Sequence, residues 1–315
     1  DHRDLHSFPT RRSSDLVPSF LNCVLGGHWT LRPLDVSDFS ATWRADGPDG
    51  PLFIKTVPLA RAPMLEAEAD GLEALAASGT VRTPRLAGCW RDEERDQTLL
   101  AMEWLDLARP DRGFGERFGR ALAALHNAPP PAGGGRFGWH RHNVLGATPQ
   151  LNTWSPQGGR EGWLRFLTDQ RLGALRERLA RRGASPGLLL ALDPLIDGLE
   201  RFFPADFSPR ASLIHGDLWS GNRAMLKDGS PVIFDPAVSI SDPEAELAML
   251  ELFGPAPAGF AEAYAEAGLL PDASDEGARQ RRKVYQLYHL LNHALLYGGG
   301  YTDQAERVAR ALLPC

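Results

Sequence analysis

Asp217 and Asn222 stand five residues apart in the stretch Leu213-Ile214-His215-Gly216-Asp217-Leu218-Trp219-Ser220-Gly221-Asn222. An apolar pair, Leu213-Ile214, delivers a polar loop with the spacing H-x-D-x-x-x-x-N. That spacing puts a carboxylate and a side-chain amide on one loop, which is what phosphoryl transfer asks for. An Asp there can orient an attacking hydroxyl and take its proton, and an Asn can hold Mg²⁺ through its oxygen. Arg223 to Leu226 then reads as a short strand, Lys227-Asp228-Gly229-Ser230 as a reversing turn with an Asp-Gly signal, and Val232-Ile233-Phe234 as the returning strand. The return ends on Asp235, so a third oxygen-bearing side chain is expected beside Asp217 and Asn222.

A second group lies far upstream. Leu52-Phe53-Ile54-Lys55-Thr56-Val57 reads as a strand of buried character with one lysine in its middle. A buried ammonium needs a carboxylate or a phosphate for company. Arg61 to Ser78 reads as a helix with Pro63 in its first turn. Leu65, Leu72 and Leu75 form the apolar stripe, and Glu68 falls on it, three residues after Leu65 and four before Leu72. Glu66, Asp70 and Glu73 lie off the stripe and are expected to be solvated. One carboxylate on the core-facing side of a helix that follows a strand with one buried lysine is the Lys–Glu pair of a kinase N-lobe. Lysine is scarce elsewhere, since only Lys55, Lys227 and Lys283 occur among 34 basic residues.

Composition bounds the remaining choices. The chain has 315 residues, 43% hydrophobic and 23% charged, enough for one large core or two modest ones. A net charge of −6 with no basic stripe excludes nucleic acid as the main partner. No apolar run is long enough to span a membrane. Cys23, Cys89 and Cys315 are scattered and odd in number, which points to a reducing, cytoplasmic setting without a disulfide framework. No obligatory protein partner is evident.

The elements that must position these groups change character along the chain. Residues 1–16, DHRDLHSFPTRRSSDL, show neither apolar periodicity nor a signal-peptide core and resemble a translated sequencing-adapter remnant, so a non-native or disordered tail is expected there. From Val17 to Val57 the pattern is short strands and turns, with strands at Trp29 to Leu34 and Phe39 to Ala45. Thr98 to Met102 gives a further apolar strand running into Glu103-Trp104-Leu105. Beyond residue 105 the chain reads as mainly helical, with Phe114, Phe118, Ala121, Leu122 and Leu125 forming one stripe closed by His126. Further helices are expected at residues 162–182, 187–203, 243–253, 258–267, 276–297 and 302–313. The expectation is an α+β chain with a small β-rich lobe over residues 17–105 and a larger, mainly helical lobe over 106–315. His289 with His293, and His140 with His142, lack a third ligand and make no zinc site. Ser220 is not in a Gly-x-Ser-x-Gly elbow.

At these residues a family resemblance becomes specific. The His215 to Asn222 loop, Ile233-Phe234-Asp235-Pro236-Ala237 and Asp242 to Met249 resemble the fructosamine kinase, or ketosamine 3-kinase, family. So do Phe53-Ile54-Lys55, Glu66-Ala67-Glu68-Ala69-Asp70, Asn152-Thr153-Trp154, Asp169-Gln170-Arg171 and the Tyr285 to Tyr301 segment. Trp219-Ser220-Gly221 separates this pattern from aminoglycoside and choline kinases. The resemblance covers about residues 36 to 313. It implies a bilobal protein-kinase-like fold and an ATP- and Mg²⁺-dependent transfer to the 3-hydroxyl of a ketosamine or glycated amine.

The resemblance also implies roles. Asp217 would be the base, and Asn222 and Asp235 the Mg²⁺ ligands. Lys55 with Glu68 would orient the ATP phosphates, and Glu103, Trp104 and Leu105 would form the hinge that meets adenine. Trp219, Asn152, Trp154 and His293 would be candidates for the sugar–amine pocket, where aromatic faces suit sugar CH surfaces and an amine cation. Where the family's nucleotide loop carries Gly-Gly, this chain reads Val36-Ser37-Asp38-Phe39-Ser40, so Ser37, Ser40 and their amides would have to serve. Pro243 and Glu246 stand where the family often has Arg and Asp. Gly216 replaces the Arg of the H-R-D form, and few residues separate Asp235 from Asp242, so no activation loop is expected. An aminoglycoside- or choline-type phosphotransferase and a weakly active nucleotide-binding pseudokinase are the competing readings.

Overall fold

The computed structural model describes residues 16–36, 40–268 and 275–314. The chain divides into two compact units. One takes the described residues up to Ala69 together with Pro84–Asp106, and the other takes Asp70–Thr83 and the residues from Leu107 onward.

Among the described residues the first unit starts with a helix, α1 (Leu16–Leu25), where strands and turns were expected from Val17 on. Val17 and Leu21 are four apart and buried, so they share one helical face and pack with Trp29, Trp43 and Ile54. Five strands follow: β1 (Thr30–Val36), β2 (Ala41–Gly47), β3 (Gly50–Pro58), β4 (Leu86–Asp92) and β5 (Gln97–Glu103). They form one antiparallel sheet in the order β1-β2-β3-β5-β4. Lys55 sits in the centre of this sheet, paired with Thr42 on β2 and Leu100 on β5. The helix α2 (Ala62–Ala77) follows β3, with Leu65, Leu72 and Leu75 buried as the stripe requires.

The second unit is mainly helical. After the two-residue strand β6 (Leu107–Ala108) comes α3 (Phe114–Asn127), whose buried Phe114, Phe118, Leu122 and Leu125 pack with Phe260 and Tyr264. A small hairpin, β7 (Asn143–Leu145) with β8 (Thr148–Gln150), precedes α4 (Gly159–Phe166). A π-helical turn, Leu167–Leu172, joins α4 to α5 (Gly173–Arg181), and α6 (Pro186–Asp197) is capped by Ser185. The strand β9 (Ser212–Ile214) feeds the polar loop, and β10 (Arg223–Leu226) pairs with β11 (Pro231–Ile233) as the expected hairpin. β12 (Ser239–Ser241) returns antiparallel to β9. The helices α7 (Pro243–Leu250), α8 (Phe260–Ala265), α9 (Glu276–Tyr297) and α10 (Gly300–Ala311) complete the unit. Among the described residues no helix is long and apolar enough to cross a membrane.

Candidate active site

The loop from His215 to Asn222 is held from beneath. His215 is fully buried. Its Nε2–H donates to the Phe234 carbonyl at 2.9 Å, and its Nδ1 accepts from the Asp217 amide at 3.3 Å. That pattern is a neutral ring, and burial lowers its pKa further. Glu246 on α7 accepts from the His215 N–H at 2.6 Å and from the Gly216 N–H at 2.8 Å. Burial alone would raise the Glu246 pKa, but the contacts with His126 and the amides hold it below the usual range. Gly216 has φ +84°, and a Cβ there would lie 2.1 Å from the Ala237 carbonyl oxygen. An arginine at this position is therefore excluded by the backbone itself.

The hairpin closes as its sequence predicts. The Phe234 N–H donates to the Asn222 carbonyl at 3.1 Å, which brings Asp235 back to the loop. Asn222 is buried, and its Nδ2 donates to the Asp217 carbonyl at 2.8 Å, to Asp217 Oδ2 at 3.3 Å and to the Asp235 carbonyl at 3.4 Å. Asp235 adopts φ +60°, a left-handed conformation uncommon outside glycine. The Asp217 carboxyl is pushed up to about 7, chiefly by desolvation, with the charges of Asp235 and Glu246 adding and the Asn222 hydrogen bond opposing. The Asp217 carboxyl and the Asn222 side chain thus meet, with the Asp235 charge near enough to act on Asp217, and oxygen donors of this kind suit a hard divalent cation. Among the described residues no three His, Cys, Asp or Glu gather to hold a metal alone. An Asp–Asn pair fits Mg²⁺, which takes few protein ligands and fills its shell with phosphate and water.

Beside Asp217 opens a pocket of about 480 Å³. Trp219 from the loop, Met249 from α7, Phe253 from the turn after it, and Leu145 and Gly146 from the β7–β8 hairpin line it. Asn292, His293, Leu296 and Tyr297 come from α9, and Tyr301 from α10. His293 is the ring hub, with centroids 4.9 Å from Phe253 and 5.0 Å from Tyr301. Its Nδ1–H donates to the His289 carbonyl at 2.9 Å. Of the sequence-chosen substrate residues, Trp219 and His293 line this pocket and Asn152 and Trp154 do not. Asn152 is fully buried and its amide is spent inside the protein, bonded to Arg141, Asn143 and Arg171. Trp154 packs on Gly133 and Gly138, beneath Arg136.

In the first unit Lys55 Nζ lies 2.7 Å from Glu68 Oε1, with both side chains 10% exposed. The Glu103 N–H donates to the Arg85 carbonyl at 2.8 Å, and Trp104 lies under the Arg44 guanidinium at 4.5 Å. Ser40 is half-buried, Leu105 follows Trp104 in an irregular segment, and Ser37 lies outside the described residues. Residues 1–15 of the expected tail also lie outside them, whereas Leu16 begins α1. Asp70 corrects the expectation of a solvated acid. It accepts from Trp139 Nε1 at 2.6 Å and pairs with His140 Nε2 at 2.8 Å.

Sequence reasoning credited Glu246 only with keeping a carboxylate, took Asn292, Tyr297 and Tyr301 only as part of the family-like segment Tyr285 to Tyr301 without a role in the pocket, and passed over Phe253. The signal for the α9 residues was their spacing, since Asn292, His293, Leu296 and Tyr297 fall on one helical face.

The fold is that of the protein-kinase-like phosphotransferases. The structure of the aminoglycoside phosphotransferase APH(4)-Ia superposes with a TM-score of 0.64 at 15% identity, covering 94% of this chain and 97% of that one. The chain belongs to the fructosamine kinase family, whose sequence model matches residues 28–314. A crystal structure of a candidate fructosamine-3-kinase from Thermobifida fusca is 33% identical with a TM-score of 0.77, covering 94% of this chain and 98% of that one. A probable ketoamine kinase of Synechocystis is 39% identical over 83% of this chain and 82% of its own length. A chloroplastic protein-ribulosamine 3-kinase of Arabidopsis thaliana is 34% identical over 81% of this chain and 74% of its own.

Proposed function

We propose that this chain is an ATP-dependent kinase that phosphorylates the 3-hydroxyl of ketosamines, the sugar–amine adducts of fructose or ribulose. The observation that carries this reading is the pocket beside Asp217. Asp217 is the only carboxylate among its described lining residues, and the walls are aromatic and apolar. A polycationic aminoglycoside would call for several carboxylates. A sugar on a singly charged amine needs aromatic faces and a few acceptors, and a volume of about 480 Å³ has room for both.

Asp217 is the base: it accepts the hydrogen bond of the 3-hydroxyl and takes its proton as that oxygen bonds to the γ-phosphorus and the bridging oxygen leaves with ADP. Desolvation raises the basicity of its carboxylate, which suits a proton acceptor. Asn222 and Asp235 would hold Mg²⁺, which when bound neutralises charge on the phosphates. Lys55, fixed by Glu68, would orient the phosphates of ATP, and residues 103–105 would meet adenine. Ser37 and Ser40 would stand in for the glycines of the nucleotide loop. Gly216 and the short run from Asp235 to β12 leave neither an arginine nor a loop for activating phosphorylation. Cys23 and Cys89 are not in disulfides, in keeping with the reducing, cytoplasmic setting proposed from the sparse cysteines.

The test is ADP release by the purified protein with Mg-ATP and ribulose- and fructose-linked lysine, an aminoglycoside and choline. Turnover on the ketosamines is expected, falling by about 10²–10⁴ in Asp217→Asn while the fold persists. Turnover on the aminoglycoside or choline alone would overturn the reading.

A further inference from the structure

Just past Asp235 the backbone is clamped from the β7–β8 hairpin. Asn143, at the start of β7, donates through Nδ2 to the Val238 carbonyl at 2.8 Å. Gln150, at the end of β8, donates through Nε2 to the Ala237 carbonyl at 3.1 Å and to Asn143 Oδ1 at 2.9 Å. Asn152 Nδ2 gives Asn143 Oδ1 a second donor at 2.9 Å, and Arg171 donates to Asn152 Oδ1 at 2.8 Å. The Tyr288 hydroxyl, from α9, donates to Gln150 Oε1 at 2.7 Å. Asn143, Gln150, Asn152 and Arg171 are all buried.

The polarity of this network is set at its far end. Arg171 has donors only, so Asn152 turns its oxygen toward it and its amide N–H groups toward Asn143. Asn143 then offers Oδ1 to its neighbours and its own N–H to Val238. Arg171 sits in the π-helical turn, stacked over the Phe166 ring at 4.3 Å, and its other bonds go to the carbonyls of Leu151 and Gln170. Such turns recur at functional sites.

The clamped carbonyls bear on the loop and on Asp235. The Ala237 N–H donates to the His215 carbonyl at 2.8 Å, and the Ala237 carbonyl is the group for which Gly216 leaves room. Asp235, two residues earlier, holds φ +60°, a conformation that a residue other than glycine keeps only where its surroundings fix it. Resting on the reading of Asp235 as a metal ligand, we propose that Asn143 and Gln150 are positioning residues for Asp235. By holding the Val238 and Ala237 carbonyls they keep the left-handed turn at Asp235, its backbone bond to Asn222 and the direction of its carboxylate. They act through the backbone alone, as groups behind a metal ligand do.

The experiment reads metal binding apart from turnover. Mn²⁺, in place of Mg²⁺, is titrated into the full chain and followed by water-proton relaxation. Gln150→Met keeps the length of the side chain without its amide. It is expected to weaken Mn²⁺ binding by about tenfold, the low end of the range for residues that orient metal ligands. Asn143→Leu is expected to do the same, and it serves where Gln150→Met fails to fold. Tyr288→Phe is the control, because it takes a donor from Gln150 Oε1 and lowers the melting temperature but leaves both carbonyl clamps. Its Mn²⁺ affinity should stay within about twofold of wild type. Folded Gln150→Met or Asn143→Leu protein with wild-type Mn²⁺ affinity would overturn the proposal, and so would an equal loss in Tyr288→Phe. A rise in KM for the ketosamine with Mn²⁺ affinity intact would also overturn it, assigning the hairpin to the pocket wall that Leu145 and Gly146 form. Absence of Mn²⁺ binding by the wild-type chain, or binding unchanged in Asp235→Ala, would instead overturn the ligand reading, and this positioning role with it.

Discussion

Glu246 Oε2 sits 2.6 Å from the backbone nitrogen of His215, and its other oxygen takes the next amide, that of Gly216. One side chain on α7 thus fixes the two peptide units that precede Asp217. His126 Nε2 at 3.4 Å and, through His126 Nδ1, the Tyr264 hydroxyl at 2.7 Å continue the chain of contacts behind it. Glu246→Ala would orphan the buried His215 N–H, at about 1–3 kcal/mol, and the part-buried Gly216 N–H at less. Both urea stability and kcat should fall. Glu246→Gln can accept only one of the amides and should fall between wild type and alanine. A kcat unchanged in soluble Glu246→Ala would mean the loop holds its shape without the grip.

The local part of this arrangement was legible in the sequence. An Asp-Gly turn between two short apolar runs fixes a hairpin through neighbouring residues alone, and the stripe of Leu65, Leu72 and Leu75 fixes which face of α2 carries Glu68. What was not legible depended on distant partners. The α1 residues Val17 and Leu21 suit a strand or a helix until the sheet they cover is known. β12 exists only because β9, far back in the chain, offers it a ladder. Asn152 read as a polar residue for a substrate, and only the fold shows that Arg171 and Asn143 already occupy its amide.

The Lys55–Glu68 pair separates stability from positioning. Both side chains are nearly dry, so Lys55→Met removes the cation that Glu68 faces at 2.7 Å and should cost up to about 3–5 kcal/mol in chemical denaturation. Replacing both, as Lys55→Met with Glu68→Leu, should recover most of that loss. Turnover of ATP should not recover, because in the proposed function the ammonium itself orients phosphate. Recovery of both would make the pair purely structural.

His289 provides a pH dependence with a definite sign. Burial, then the neighbouring His293 charge, depresses its pKa from 6.5 to about 3, with Arg171 acting the same way and Glu246 opposing. The folded value lies below the unfolded one, so the neutral ring's contribution is present above pH 6.5 and is lost as pH falls toward about 3. Across that window the group alone gives a slope of about 1.4 kcal/mol per pH unit. His289→Gln should flatten the acid limb of stability against pH by that amount. Parallel limbs for the two proteins would show that the ring does not titrate with unfolding.

Gly221 is predicted to act through Trp219. A Cβ on Gly221 would come within 2.3 Å of the six-membered ring of Trp219, so the indole lies flat over a residue that has no side chain. Gly221 takes no left-handed backbone angle, and the constraint is one of space alone. Gly221→Ala should therefore lift the ring from the pocket wall and lower kcat/KM for a ketosamine by about 10–100-fold, the range expected when a positioning group shifts by an ångström. The methyl also neighbours Asn222, so the single variant does not separate the two routes. Trp219→Ala removes the ring that the methyl would strike. Adding Gly221→Ala to Trp219→Ala should then cost less than about twofold, because coupled changes at one contact are not additive. A further tenfold drop in the double variant would show instead that the methyl disturbs the Asn222 end of the loop.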